Sequence, residues 1–575
     1  MAKRYRPVDR DQPYLFPPSL RDWLAEDHPV WLVIRVVEDH LDTSAFHGLR
    51  RTGGAGTAGY DPDMLLTVLV WAYAHQVTSS RRIEQLCETD VAFRVICAGN
   101  TPQHVTISEF RKAFPGVIAQ FFAEVLALCA RLGMGKLGVV ALDGMKIAAN
   151  ASKAANRTEE TLRKMAAETV ARHAADDQAE DDLFGAGARG DEVPEDAWRP
   201  RCRGERIAAA LAQLEAERAA EAAARAAKEA ECLDAAAAGT PKPGHRPAGA
   251  AVELARMKIE RLIAAQQAKI DDWQARNEQS LAAAGRPLRG SPLVSAREHC
   301  RVQKALAGLE RARAQAAAAQ AKAAQKEKDR KAPVRNITDP DARLMPVRGG
   351  GWIEGYNTQN VTSQDGLVIA TGLTDDPADA AWFEPMLSQA EDAARLITAH
   401  HPAQDAGPGP QAAAGPAAPG PGPGDSAGPA SLITLFLSDA GYLSEHNLTI
   451  PGPDRLIATG KTRDLEKAAR DGDTSDGIPW ASPHIAAMAS RLATPEGIAA
   501  YRQRGHIAET PHGHIKHYMR FRQLSVRGKP KAATEWTFTC AVHNLFKAIT
   551  TGRLATAALD RLASQPGHPP APQAA

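Results

Sequence analysis

Apolar residues recur at helical spacing in the first part of the chain, from residue 62 to about 132. Met64, Leu65 and Val68 show the period, and serines and threonines suited to helix N-caps stand between the apolar runs. Short polar turns separate the successive runs. The pattern predicts a compact all-α N-terminal domain over residues 1–132.

Within this domain, residues 78–114 have the rhythm of a helix-turn-helix, with Arg111 and Lys112 near the end. Basic residues placed in this way contact DNA phosphates in that motif. Helical domains that carry a few exposed arginines without binding DNA are also common, so this element alone leaves both interpretations open. We expect the domain to bind DNA.

Two short apolar runs, each of the length of a buried strand, lead to an aspartate. Residues 137–142 precede Asp143, and residues 432–437 precede Asp439. A β-rich hairpin lies between them, with runs at 352–361 and 367–373 joined by a polar turn that contains Gly366. A helix over 377–399 and a strand over 454–459 complete the pattern, which predicts an α/β core with a mixed sheet.

The remaining segments differ in composition from this core. Ala, Glu, Lys, Arg and Gln dominate residues 161–345, as expected of a long α-helical insertion. Residues 403–430 are rich in Pro and Gly and are expected to be a disordered loop, and residues 553–575 a disordered tail. The predicted core therefore consists of three pieces, 133–160, 346–402 and 431–552.

Charge and cysteine content exclude several classes of protein. The 69 Lys and Arg residues balance 68 Asp and Glu residues, so any affinity for DNA must come from a local basic patch. The seven cysteines are scattered and form no Cys-x-x-Cys pair, which argues against a disulfide scaffold or a structural zinc site. With no signal peptide and no long apolar run, we expect a cytoplasmic protein that does not contact a membrane.

Asp143 and Asp439 are the first candidates for chemistry. Ligands bind at the carboxyl ends of parallel strands, so two strands that each lead to an aspartate are expected to bring both carboxylates into one crevice. Carboxylate oxygens suit Mg²⁺ or Mn²⁺. Two such ions about 3.5 to 4 Å apart activate an attacking oxygen and stabilise a leaving oxygen in phosphodiester chemistry.

Glu509 is the candidate for a third acid. It is the only Asp or Glu between Ala500 and Lys531, in a segment that is rich in Arg and Lys. A solvated basic helix with one local ion pair is the alternative explanation. The four histidines of this segment do not have zinc-site spacing, and we expect them to lie on the surface or to face phosphates; they are His506, His512, His514 and His517.

The same segment resembles a known signature. Its spacing is Tyr-x2-Arg-x4-Glu-x6-Lys, formed by Tyr501, Arg504, Glu509 and Lys516, and it resembles the Tyr-Arg-Glu-Lys signature of insertion-sequence transposases. On a continuous helix Tyr501, Glu509 and Lys516 lie at about 0°, 80° and 60°, on one face. Pro511 disfavours such a continuous helix.

Other blocks resemble the same transposases in the same order. They are the strand and Lys-containing segment around Asp143, the hairpin region 350–390, the block around Asp439, and the N-terminal helical region. The resemblance implies a ribonuclease-H-like core and a catalytic and metal-binding triad of Asp143, Asp439 and Glu509. It also implies a DNA substrate, the terminal inverted repeats of the protein's own mobile element. It also implies a homo-oligomer that synapses two DNA ends.

Several basic or aromatic side chains are expected to contact DNA around this triad, and these are Tyr501, Arg504, Lys516, Lys146, Arg520 and Arg522. Two alternatives remain open at this stage. One is a metal-dependent nuclease of the same fold, because hydrolysis and strand transfer use the same acids and ions. The other is an inactive, transposase-derived protein that binds DNA or acts as a scaffold.

Overall fold

A computed structural model describes most of the chain, in two compact units. The described residues are 19–48, 59–169, 171, 203–238, 247–288, 293–329, 333–347, 350–402, 432–471 and 482–564. The first unit combines Met1–Ala155 with Thr338–Ala575, and the second is Asn156–Ile337. The predicted loop at 403–430 lies outside the described residues.

Helices account for most of the described secondary structure. In chain order they are α1 Pro29–Arg35, α2 Ser44–His47, α3 Pro62–Ala74, α4 Ser80–Thr89, α5 Val91–Ile96, α6 His104–Lys112, α7 Ile118–Arg131, α8 159–169, α9 Arg203–Ala237, α10 Ala248–Ala284, α11 Cys300–Asp329, α12 Phe383–His400, α13 Glu445–Thr449, α14 Thr462–Asp471, α15 Pro483–Leu492, α16 Pro495–Gly513, α17 Lys529–Thr550 and α18 Thr556–Ala563.

The strands form one six-stranded sheet and one two-stranded sheet. They are β1 Val139–Ala148, β2 Asn156–Thr158, β3 Val334–Asn336, β4 Arg343–Pro346, β5 Trp352–Ser363, β6 Val368–Thr374, β7 Leu435–Ser438 and β8 Asp454–Ile457. The large sheet has the order β4-β5-β1-β7-β8, and β6 also pairs with β5. Strands β4, β5 and β6 are antiparallel to their neighbours, whereas β1, β7 and β8 run parallel. The described fold is therefore mixed α/β, with a mostly helical N-terminal region.

Helix α3 illustrates how the N-terminal region forms. Asp61 caps it by accepting a hydrogen bond from the backbone of Asp63 at 2.7 Å, and Pro62 occupies the first turn, where its missing N–H has no partner to lose. Nearly every side chain that follows is apolar and buried. The helix is therefore enclosed on all sides, and it packs against α1 and α17.

The apolar face of the large sheet lies on helices from both ends of the chain. Helices α12 and α17 pack on this side, α7 packs in turn against both of them, and α17 buries the whole Trp536 ring. Helices α14, α15 and α16 cover a second, smaller core, in which Leu437 and Leu456 from the sheet pack with Ile507. The hairpin β5-β6 and helix α12 agree with the sequence pattern.

Three structural expectations need correction. The first strand does not end at Asp143: β1 continues to Ala148, because its second half pairs with β5. Helix α16 runs through Pro511 and continues as a π-helical turn at His514–Tyr518, since helix packing compensates the bond that proline removes. The predicted disordered tail contains α18, whose Leu559 is fully buried; only residues 565–575 of that tail lie outside the described residues.

The second unit contains β2, α8, α9, α10, α11 and β3. Helices α10 and α11 pack along each other through Ile259, Val302 and Leu309, and a separate small core forms around Leu162 and Leu214. Strands β2 and β3 are antiparallel. In its described residues this segment is therefore mostly long helices, as its composition indicates.

Among the described residues, no single helix is both long and apolar enough to cross a membrane. The segments His104–Gly116 and Ile118–Arg131 meet the length and composition criteria only when taken together, and they are bent by 82° where they join. The apolar side chains of the second segment, including Phe121 and Leu128, are buried in the core of the first unit.

Candidate active site

Two aspartates lie side by side where the short strand β7 ends. Strands β1 and β7 are parallel, and the last residues paired between them are Leu142 and Ser438. Asp143 and Asp439 follow directly in the two strands. Asp439 also caps the next turn, because its Oδ1 accepts a hydrogen bond from the backbone of Gly441 at 2.9 Å. The parallel pairing of β1 with β7 thus brings the two carboxylates together at one edge of the sheet, as the sequence led us to expect.

Arg504 connects the two aspartates. Its Nη2 donates a hydrogen bond of 2.8 Å to Oδ1 of Asp143 and lies 3.5 Å from Oδ2 of Asp439. Only 12% of the arginine side chain is exposed. The carboxylates thus share one buried positive charge, which α16 brings over the sheet.

Tyr501 and His512 lie on the same face of α16 as Arg504. The separations of three and eight residues place all three within one stripe of the helix. His512 Nδ1 is 3.6 Å from Oδ2 of Asp143, and the Tyr501 side chain is buried. Because this face of α16 packs on the sheet, His512 is buried and not on the surface, and Tyr501 and Arg504 face the sheet. Contact of Tyr501 and Arg504 with DNA stays a prediction.

The two aspartates have opposite pKa shifts. Burial raises the pKa of Asp143, but the hydrogen bond and charge of His512 and the charge of Arg504 outweigh it, so the net shift is downward. Burial raises the pKa of Asp439 as well, and there the opposing charge of Arg504 is insufficient against the charges of Asp143 and Asp379. The site therefore holds Asp143 more firmly in its ionised form than Asp439.

Asp379 is a third carboxylate at this edge, and the sequence analysis did not identify it. It lies in the turn before α12, where its Oδ1 accepts hydrogen bonds from Asn357 Nδ2 at 2.7 Å and from Gln359 Nε2 at 2.8 Å. The Gln359 side chain also accepts a hydrogen bond from the hydroxyl of buried Tyr442. These contacts fix the orientation of the Asp379 carboxylate.

Two glycines leave the space that Asp379 occupies. A β-carbon at Gly144 would be 2.9 Å from Oδ1 of Asp379, and one at Gly441 would be 3.0 Å both from Oδ2 of Asp379 and from Oδ1 of Asp439. Any larger residue at either position would displace one of these carboxylates. Asp379 and Asp439 thus approach each other closely across Gly441.

Glu509 and four of the expected DNA-contacting residues, Lys146, Lys516, Arg520 and Arg522, lie outside this buried cluster. Glu509 is exposed on α16, one turn before His512, and has no hydrogen bond or ion pair with any described residue. Lys516, Arg520 and Arg522 are also exposed, and Lys146 on β1 is half-buried. The structure brings Asp143 and Asp439 together and leaves Glu509 at the rim.

The chemistry of these residues fits a hard divalent cation. Asp143 and Asp439 offer carboxylate oxygens, the donors that Mg²⁺ and Mn²⁺ prefer. Two buried polar atoms in the same region, Ser438 Oγ and His512 Nε2, have no hydrogen-bond partner. The ligand atoms of Asp143, Asp439 and Glu509 do not all lie within 4.8 Å of one another; among the described residues the group that meets this distance is His47, Asp61 and Asp63.

Comparisons with known families match two segments of the chain. Residues 18–113 match a family model described as a transposase domain (DUF772), and residues 475–549 match one described as a transposase DDE domain. The second segment contains all of α16, with Arg504 and Glu509. No curated protein and no solved structure was found to match the chain.

Proposed function

We propose that the chain is an insertion-sequence transposase of the DDE type, which the two matched segments support, and that it binds the terminal inverted repeats of its own element and cuts and rejoins DNA strands there. One observation carries this proposal. Asp143 and Asp439 follow the last paired residues of two parallel strands, and α16, from the DDE segment, packs across the same edge.

We propose Asp143, Asp439 and Glu509 as the catalytic triad and as the ligands of Mg²⁺ or Mn²⁺. When bound, two such ions activate the attacking oxygen and stabilise the oxygen that leaves the phosphorus. Asp143 suits this role because it is held ionised. Glu509 lies on the same helix, one turn before His512, which contacts Asp143.

The chain's other residues in this region would position the site and hold the DNA. Arg504 holds the carboxylates of both aspartates in place while no substrate is present. Lys516, Arg520 and Arg522 have the exposure and charge needed to contact DNA phosphates, and Lys146 lies three residues beyond Asp143. Affinity for DNA should then fall steeply with salt, as each neutralised phosphate releases counterions.

The sheet supports a further part of the proposal, a ribonuclease-H-like core. Antiparallel strands β6, β5 and β1 continue into the parallel strands β7 and β8, which is the arrangement expected of that fold. We also propose that the protein assembles as a homo-oligomer on two DNA ends, and that it acts in the cytoplasm on the nucleoid.

The experiment that tests this function is cleavage of a labelled duplex that carries the terminal repeat of the element. Mg²⁺ or Mn²⁺ should produce cuts at the repeat boundary, and a chelator should prevent them. Glu509→Gln is expected to reduce the cleavage rate about 10²-fold, because it removes one charged ligand but leaves the buried aspartates in place. Binding of the same duplex, measured by fluorescence anisotropy, should remain.

Other outcomes of this experiment favour the other candidates. Cuts without any joined product, even at high target concentration, would support a nuclease of the same fold. Binding of the repeat with no metal-dependent cleavage by the wild type would support an inactive, DNA-binding protein. Cleavage by Glu509→Gln at the wild-type rate would remove Glu509 from the site.

Asp379→Asn is expected to reduce cleavage about tenfold and leave the fold intact. Asparagine keeps an oxygen that accepts the hydrogen bonds of Asn357 and Gln359, but it removes the charge that faces Asp439. Loss of a group that orients a metal ligand typically lowers activity 10- to 100-fold, roughly. Single-turnover cleavage measures the effect, and Asp392→Asn, at an exposed position of α12, is the matched control. Equal rates for both variants would make Asp379 a purely structural residue.

A further inference from the structure

A basic groove lies beside the catalytic strand, within the first unit. It has a volume of about 720 Å³ and runs between the ends of α3, α4 and α6 on one side and residues 519–525 on the other. Its cationic side chains include Arg81, Arg520 and Arg522, and none of the described residues that line it is acidic. A groove with this lining favours an anionic ligand.

Two helices begin at this groove without a side-chain cap. Ser79 occupies the N-cap position of α4, and Gln103 that of α6, but neither side chain accepts a hydrogen bond from its helix. Ser79, Ser80 and His104 line the groove. The first amides of a helix have no partner within the helix and favour negative charge, so these two ends add to the field of the arginines.

The wall of the groove is held in place by a buried network. Arg111 donates hydrogen bonds to the backbone oxygen of Thr78 at 2.6 Å and to Ser80 Oγ at 3.0 Å. On the opposite side, Glu535 accepts a hydrogen bond from the backbone of Ser525 at 2.8 Å and another from Tyr73 at 2.6 Å. The sequence suggested that Arg111 contacts phosphate. In the structure its hydrogen bonds hold Thr78 and Ser80 in the wall of the groove.

The groove and the aspartates share one strand. Residue 523 forms a parallel bridge with Ala148 at the end of β1, and the Leu524 backbone donates a 2.9 Å hydrogen bond to the Ala148 oxygen. Asp143 lies five residues earlier in β1. At about 3.3 Å per residue the separation is roughly 16 Å, a span that a few consecutive nucleotides cover.

We infer that this groove binds the sugar-phosphate backbone of the DNA segment that continues from the bond being cut. This inference rests on the proposed function. A backbone fits better than a free phosphate because the groove is much larger than one phosphate and has cationic side chains on both walls, Arg81 on one and Arg520 and Arg522 on the other. Recognition of phosphates alone makes this contact independent of base sequence.

The test is Ser79→Asp, measured as the affinity of the full-length protein for a labelled duplex of the terminal repeat. Aspartate is a good N-cap, so it should maintain or improve the stability of α4, yet its charge should repel phosphate from the groove. Affinity is expected to fall about tenfold at low salt. Ala555→Asp is the matched control, since Ala555 is an exposed, uncapped N-cap of α18 that does not line the groove.

Arg81→Ala provides a second variant, because Arg81 is exposed and lies in the first turn of α4. It should lower the slope of log affinity against log salt by about one. Both variants could retain wild-type affinity, wild-type salt slope and wild-type cleavage of the repeat. That result in Ser79→Asp and Arg81→Ala would overturn DNA binding by the groove and leave the proposed function standing. A wild-type protein that neither binds nor cuts the repeat would overturn both.

Discussion

Asp143→Asn is expected to reduce the cleavage rate about 10³-fold and to destabilise the protein. The rate falls because the change removes a charged ligand, whose electrostatic contribution of several kcal/mol corresponds to roughly that factor. The fold loses stability because Asp143 is paired with Arg504 and His512. Breaking one side of a buried ion pair costs about 3 kcal/mol.

The stability effect should depend on pH in a direction that the pKa shift fixes. The pKa of Asp143 lies below its ordinary value of 3.8 in the folded chain. Its charge therefore stabilises the fold above that ordinary value, and the contribution disappears as pH falls through the lowered pKa. The difference in unfolding free energy between wild type and Asp143→Asn should thus be largest at neutral pH and shrink in acid.

Asp439→Asn supplies the matched comparison. It should lower cleavage by a similar factor, yet it should raise the unfolding free energy at neutral pH. The pKa of Asp439 is raised in the folded chain, so the fold favours the protonated carboxyl over the ionised one. The stability that the protonated carboxyl contributes is lost as pH rises through the raised pKa. Urea unfolding in chelator at several pH values measures both variants. Equal stability losses in the two would contradict the assignment of opposite shifts.

The sequence was sufficient to predict which aspartates meet, because the apolar runs before Asp143 and Asp439 have the length of buried strands. It was insufficient to predict where β1 ends. Residues 144–148 include Gly144 and Lys146, and such residues after an apolar run are typical of a turn. In the structure these residues form a strand because the backbone of β5 pairs with them. Pairing between distant segments decided this boundary.

Two further features depend on tertiary packing in the same way. Pro511 argues locally against a helix, but α16 gains more from packing Ile507 and Ala508 into the second core than it loses at the proline. Asp379 has two acidic neighbours in its turn, Asp375 and Asp376, and no local pattern distinguishes it from them. Only the meeting of the turn with Asn357 and Gln359 directs Asp379 to the site.

The family spacing singled out Arg504 for DNA contact, and the structure places its side chain against the two aspartates. A helix wheel gives the relative directions of residues on α16 but does not say which direction faces the sheet. Tyr501, Arg504 and His512 form the buried stripe, and Glu509 and Lys516 remain exposed. The role of Arg504 therefore has to be tested separately from DNA contact.

Arg504→Gln is expected to lower the unfolding free energy by about 3 kcal/mol, because it leaves the charges of Asp143 and Asp439 without their shared cation. Mn²⁺ should stabilise this variant more than the wild type, since a divalent cation supplies the missing positive charge. Thermal unfolding with and without Mn²⁺ measures both effects. Arg502→Gln is the control on the same helix, where the arginine is exposed and pairs with Glu466.

DNA binding separates this role from a phosphate contact. If Arg504 acts through the aspartates, the slope of log affinity against log salt should be the same in Arg504→Gln and wild type, whereas Lys516→Ala should lower it by about one. A reduced slope in Arg504→Gln would instead indicate that Arg504 contacts a DNA phosphate. That result would require Arg504 to leave both aspartates when DNA binds, and the positive charge between them would then have to come from the metal.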